Sequence, residues 1–193
     1  MNAAAVNHFR SDAPVGSSLL TQDFFTLFGL TRQYQLDSDQ LESAWKRLQS
    51  VVHPDRFAGG GDTQRRMALQ WSTRINEGHQ ALKHPISRAS YLLGLYGVDL
   101  QTESNTSMPA EFLVMQMEWR EALDDLRQLN DLPKRQQARA LLQSEVHQTW
   151  QSGESRLASL LVDSPSPSAL EQAAGLVRQL MFVKKFEQEL AET

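Results

Sequence analysis

The stretch Val51-Val52-His53-Pro54-Asp55-Arg56-Phe57 separates two long helical patterns, and its reading decides the fold. Ahead of it, Leu41, Trp45, Leu48 and Val52 recur at spacings of 4, 3 and 4, one apolar face of a helix. Beyond it, Ala68, Trp71, Ile75 and Leu82 follow the same rule. Pro54 has no N–H and biases the residue before it away from helical geometry, so the first helix should end at about His53. Two helices of similar length joined by a short loop fold back antiparallel. His53, Pro54 and Asp55 then stand at an exposed tip.

Taken alone, the tip has three readings. A His and an Asp two residues apart would serve as a general acid/base pair, as two metal ligands, or simply as a turn in which Asp55 accepts a backbone N–H. Catalysis needs a desolvated pocket and a third orienting group, and a hairpin tip offers neither. A metal needs further ligands; His79 and His84 are five apart and share no helix face, and the chain has no Cys. Gly59-Gly60-Gly61 ends the tip loop. A phosphate cradle would follow a strand and continue with Lys-Ser/Thr, so a flexible loop is the better reading of that triplet.

Working outward, Phe24, Phe25, Leu27, Phe28 and Leu30 form a short, very apolar helix with Thr21 as its N-cap. It should lie across the hairpin and close a small core with Trp45 and Trp71. Asp37 or Ser38 caps the next helix, and Asp62 or Thr63 the one after the tip. Pro85 ends that helix, and Ser90-Tyr91-Leu92-Leu93 with Leu95 and Tyr96 make a fourth. Residues 97–108 are polar and aperiodic, a linker. Pro109 then opens the first of three helical stretches, about 109–130, 133–161 and 167–190, separated by Pro133 and by Ser164-Pro165-Ser166-Pro167. Short connections make these an antiparallel bundle. Residues 1–20 show no periodicity and read as a disordered extension.

The 193 residues suffice for one large or two small domains, with ordinary apolar content. No run approaches the roughly 18 apolar residues of a membrane helix, and the N-terminus lacks the pattern of a secretory signal. A net charge of −4 argues against a nucleic-acid binder. Residues 21–96 hold nine Lys/Arg against seven Asp/Glu, whereas residues 109–193 hold nine against thirteen, which suggests two halves with different partners. Zero Cys excludes disulfides, thiol catalysis and cysteine ligation of a cluster.

Two faces lack a core role. At about 100° per residue, Lys46 and His53 fall within about 20° of each other, flanked by Arg47 and opposite Leu41, Leu48 and Val52. In the stretch 109–130, Met115, Trp119, Ala122, Leu126 and Leu129 form the core stripe. Leu113 and Met117 fall nearly opposite, beside Arg120 and Asp124, with Val114 and Glu121 on a shoulder; a partner surface is the usual reason for such a pattern. In the last helix Ala173, Val177 and Leu180 define the core side, and Phe182 points the other way.

The run Tyr34-Gln35-Leu36-Asp37, then His53-Pro54-Asp55-Arg56-Phe57, then Ile75-Asn76-Glu77-Gly78-His79-Gln80-Ala81-Leu82 resembles a J-domain. With that module DnaJ-type co-chaperones switch on the ATPase of DnaK-type chaperones. The further run His84-Pro85-Ile86-Ser87-Arg88-Ala89-Ser90-Tyr91-Leu92-Leu93-Gly94-Leu95 is similar to the HscB branch, the J-type co-chaperones of iron–sulfur cluster assembly. The likeness extends over about residues 22–190. It implies an all-α, L-shaped protein with a J-domain over 21–96, a linker over 97–108 and a three-helix bundle over 109–193. It implies a chaperone partner, HscA, met by Lys46, Arg47, His53, Pro54, Asp55 and Arg56, the last standing where many relatives have Lys. It implies a scaffold partner, IscU, met by Leu113, Val114, Met117, Glu118, Glu121 and Phe182. Neither metal, cofactor nor catalysis belongs to this picture. The extra cysteine-rich segment of some eukaryotic relatives is missing, which implies a bacterial type and a cytoplasmic setting. The rival readings are a J-protein with another client, its bundle structural or dimerising, and, more remotely, a small hydrolase using His53 and Asp55.

Overall fold

A computed structural model describes residues 21–53, 61–100 and 108–193. Residues 1–20, the tip from Pro54 to Gly60 (Asp55 and Arg56 included) and most of the expected linker lie outside the described residues. The described residues form seven helices and no strand: α1 (Phe24–Phe28), α2 (Ser38–Val52), α3 (Asp62–Lys83), α4 (Pro85–Leu95), α5 (Ala110–Gln128), α6 (Leu132–Leu160) and α7 (Pro167–Ala191). The fold is all-α, and the chain divides into two compact units between Leu92 and Leu93.

In the first unit α2 and α3 pack against each other and α1 lies against both. α1 survives at five residues because both its ends are tied. Asp23 caps it, accepting from Thr26 N at 3.1 Å and from Arg32 Nη2 at 3.0 Å. Gly29 takes φ +69 so that the Leu30 N–H reaches Phe25 O at 2.8 Å, a left-handed stop that glycine adopts without strain. Thr21 therefore is not the cap: Asp23 is the residue whose carboxylate reaches the Thr26 N–H. Phe24, Phe25, Leu27 and Phe28 are all buried. Phe24 N donates to Tyr91 Oη at 2.8 Å while the two rings stack at 4.6 Å, and the Arg74 guanidinium lies 4.2 Å from the Phe24 ring centre. α3 admits this helix through Gly78, where a Cβ would stand 2.7 Å from Phe24 and 3.0 Å from Phe28.

The remaining core of this unit is Leu41, Ala44, Leu48 and Val52 from α2, with Ala68, Ile75 and Leu82 from α3. Each large apolar side chain buried in this way stabilises the fold by about 1.5–3 kcal/mol. Trp45 and Trp71, expected to close the core, are only half-buried. Leu48 lies at the centre of the α2 stripe, and Trp45, about 60° round from it and past Val52, sits at the edge that forms the seam with α3. The caps differ as well. Asp37 caps α2, accepting from Asp39 N and Gln40 N, but α3 starts after Gly61 with no side-chain cap, Asp62 being its first residue. α4 begins at Pro85, five residues earlier than the apolar run suggested, because Pro at a helix start gives up no hydrogen bond.

The second unit contains the α5, α6 and α7 bundle. Asp131 caps α6 and Ser166 caps α7, each followed by a proline in the first turn. The core side of α5 is Phe112, Trp119, Leu123 and Leu126; Ala122 is exposed, and Met115 and Leu129 are half-buried. The true stripe is thus rotated from the expected one, centred on Trp119 and Leu123. α7 is buried on two adjoining faces. Ala173, Val177 and Leu180 form one, and Leu180 meets Gly153 of α6, where a Cβ would come within 2.5 Å of it. Val183, Phe186 and Leu190 form the other, and Phe186 meets Trp119 of α5 with ring centres 5.2 Å apart.

Candidate partner-binding surfaces

On α2 the buried stripe leaves Lys46, Arg47 and His53 exposed on the opposite side. Lys46 and Arg47 form no ion pair with a described residue, so their charge faces solvent. His53 is the C-cap of α2, at φ −55 and ψ 129, and the chain leaves the helix there ahead of Pro54.

Beside this face runs a polar seam that sequence reasoning missed. From α2 come Glu42, Trp45 and Gln49; from α3, in reverse order, come Lys83, His79, Asn76 and Ser72. Glu42 Oε1 accepts from His79 Nε2 at 2.8 Å and lies 3.4 Å from Lys83 Nζ. The His79 ring stacks on Trp45 at 4.7 Å. Asn76 Oδ1 accepts from both Trp45 Nε1, at 3.1 Å, and Gln49 Nε2, at 2.5 Å. Ser72 Oγ is 3.5 Å from Gln49 Oε1. The hydrogen bond from buried His79 holds the Glu42 carboxyl below its ordinary range; partial desolvation opposes it, and the Lys83 ammonium adds to it. An ionised carboxylate only accepts, so Nε2 of His79 carries the proton. A signal for the seam is present in the sequence: Ser72, Asn76, His79 and Lys83 repeat at 4, 3 and 4, a polar stripe facing a helix.

On α5 the apolar side chains expected to face outward do so: Leu113 is 46% exposed, Val114 54% and Met117 70%. Glu118 and Glu121 are exposed alongside them, as is Arg120. Phe182 differs from expectation. It is half-buried, edge-on to Phe112 at 5.8 Å and stacked on Phe186 at 6.2 Å, with the Arg120 guanidinium 5.8 Å from its ring centre. The core direction inferred from Ala173, Val177 and Leu180 is only the α6-facing half of α7. Phe182 borders the other half, so it lies at the α5–α7 seam and joins the rim of the exposed patch.

No group of three or more potential metal ligands occurs among the described residues. A cleft of about 500 Å³ in the bundle, lined among others by Phe112, Met115 and Leu180, holds one carboxylate, Glu111, and no His. No helix among the described residues is long and apolar enough to cross a membrane.

Known proteins resemble this chain in sequence and fold. A family profile described as the HSCB C-terminal oligomerisation domain matches residues 108–191. The co-chaperone protein HscB homolog of Ralstonia nicotianae is 45% identical over 168 residues, 87% of this chain and 92% of that one. That of Azoarcus sp. is 44% identical over 174 residues, 89% and 93% respectively. Among solved structures, the chaperone HscB from Vibrio cholerae superposes with a TM-score of 0.76 at 32% identity, over 89% of this chain and 96% of that one. Human co-chaperone HscB superposes at 0.78 with 24% identity, over 89% and 82%, a likeness of fold. Matched over nearly its whole length by such relatives, and carrying their bundle in residues 108–191, the chain belongs to the HscB family of co-chaperones.

Proposed function

We propose that the protein is the J-type co-chaperone of iron–sulfur cluster assembly that carries an IscU-type scaffold to the DnaK-type chaperone HscA and stimulates its ATPase. Residues 21–96 act as the J-domain, with Lys46, Arg47, His53, Pro54, Asp55 and Arg56 meeting the chaperone. The cationic side of α2 steers it onto an acidic surface. By binding one conformation of the ATP-loaded chaperone better than another, it shifts the population toward hydrolysis, and the protein does no chemistry of its own. This belongs to the cytoplasm, where the partners act.

Residues 109–193 hold the scaffold through Leu113, Val114, Met117, Glu118, Glu121 and Phe182. The observation that carries this reading is the trio of α5 side chains left exposed on the side away from the bundle core. Large apolar side chains grouped on a helix surface and rimmed by charge are the usual mark of a protein contact.

Titration of a purified IscU-type scaffold tests it. Leu113→Ala and Met117→Ala should each weaken binding by about 2 kcal/mol, roughly thirtyfold, with the thermal melt unchanged because neither side chain packs in the core. Phe182→Ala should weaken binding and also lower the melt, since its ring rests on Phe112 and Phe186. Unchanged affinity in both α5 variants would remove the scaffold assignment. The description of the matching profile as an oligomerisation domain favours a second reading, a self-associating bundle. Sedimentation equilibrium separates the two: a dimer lost in Met117→Ala would assign the patch to a second copy.

A further inference from the structure

We infer that Asn76 is a positioning residue: by accepting from both Trp45 and Gln49 it fixes the rotation of α2 and so aims Lys46 and His53 at the chaperone. This rests on the function proposed above. The buried stripe of α2, Leu41-Ala44-Leu48-Val52, is apolar, and apolar contact is non-directional. It turns that face of α2 toward α3 but resists small rotations about the helix axis less sharply than directional bonds do. Trp45 and Gln49 are four apart, one above the other on α2, and a single oxygen on α3 takes a hydrogen bond from each. Pinning two successive turns from one atom resists both rotation and sliding.

The pinned flank adjoins the recognition face. Gln49, itself part of the seam, lies about 40–60° from the direction shared by Lys46 and His53. Turning α2 by about 20° would carry surface groups at a radius of about 5–6 Å through about 2 Å. That is enough to break a hydrogen bond or close ion pair with a partner. Asn76 also costs little to remove. The two hydrogen bonds lie open to solvent, so their donors return to water when the acceptor is lost, and the seam contributes orientation more than stability.

The test is a double-mutant cycle on the full chain, read as the concentration giving half-maximal stimulation of a DnaK-type chaperone's ATPase. The variants are Asn76→Ala, Lys46→Ala and the pair, with thermal melts alongside. Asn76→Ala should raise that concentration about fivefold while the melt stays within a few degrees of wild type, and in the Lys46→Ala background it should raise it less than about twofold. Asn76→Asp, which keeps the accepting oxygen, should restore most of the loss. An equal effect in both backgrounds, or none in either, would overturn the inference by showing that Asn76 does not act through Lys46. If Lys46→Ala and His53→Gln themselves leave stimulation at the wild-type level, the functional reading fails first and the inference goes with it.

Discussion

His79 and Glu42 show how one residue pair ties stability to proton concentration. The Glu42 carboxyl titrates below its ordinary value of 4.5 because His79 Nε2 donates to it at 2.8 Å, with the Lys83 ammonium at 3.4 Å adding to the effect. A carboxylate with a depressed folded value stabilises the protein above its unfolded value, and that contribution disappears as pH falls from about 4.5 downward. Glu42→Gln should therefore melt below wild type at neutral pH, and the two melting curves should converge on acidification. Calorimetry of the two proteins from pH 7 to pH 3 checks this; parallel curves throughout would mean that the pair carries no linkage. The pairing is not legible in the sequence. There His79 reads only as a poor metal ligand, because its burial and its acidic partner depend on the packing of α2 on α3.

At the scale of elements, the helices are legible in the sequence and their facing is not. Periodicity and proline place α2, α3, α5, α6 and α7 to within a residue or two, because those signals act locally. Cap identity fails at Thr21 and at Asp62, where several candidates stand in a row and tertiary placement chooses among them. The expected core stripe of α5 is rotated and that of α7 covers only one of its two buried faces, because each helix of a bundle touches two neighbours and the sequence does not say which residues face which. Gly78 illustrates the same limit. A Cβ there meets Phe24 at 2.7 Å, so Gly78→Ala should destabilise by about 1–2 kcal/mol despite the better helix propensity of alanine. Gly94 is exposed in α4, and an added methyl would meet nothing within 4 Å. The same change there should gain up to about 1 kcal/mol. Urea unfolding of the two variants separates these cases; a raised midpoint for Gly78→Ala would contradict the close packing of α1 on α3.

The molecule as a whole carries two surfaces of unlike chemistry, one on each compact unit. One is cationic and belongs to the half with a slight excess of Lys/Arg; the other is apolar, rimmed by Glu118 and Glu121, in the acidic half. An adaptor needs its two contacts to be separable by mutation. The direct measurement is ATP hydrolysis by a purified HscA-type chaperone, with and without an IscU-type scaffold, on adding wild type or His53→Gln. Wild type should stimulate hydrolysis, more so with the scaffold present, while His53→Gln should bind the scaffold as tightly as wild type yet stimulate nothing. Full stimulation by His53→Gln would contradict the adaptor role.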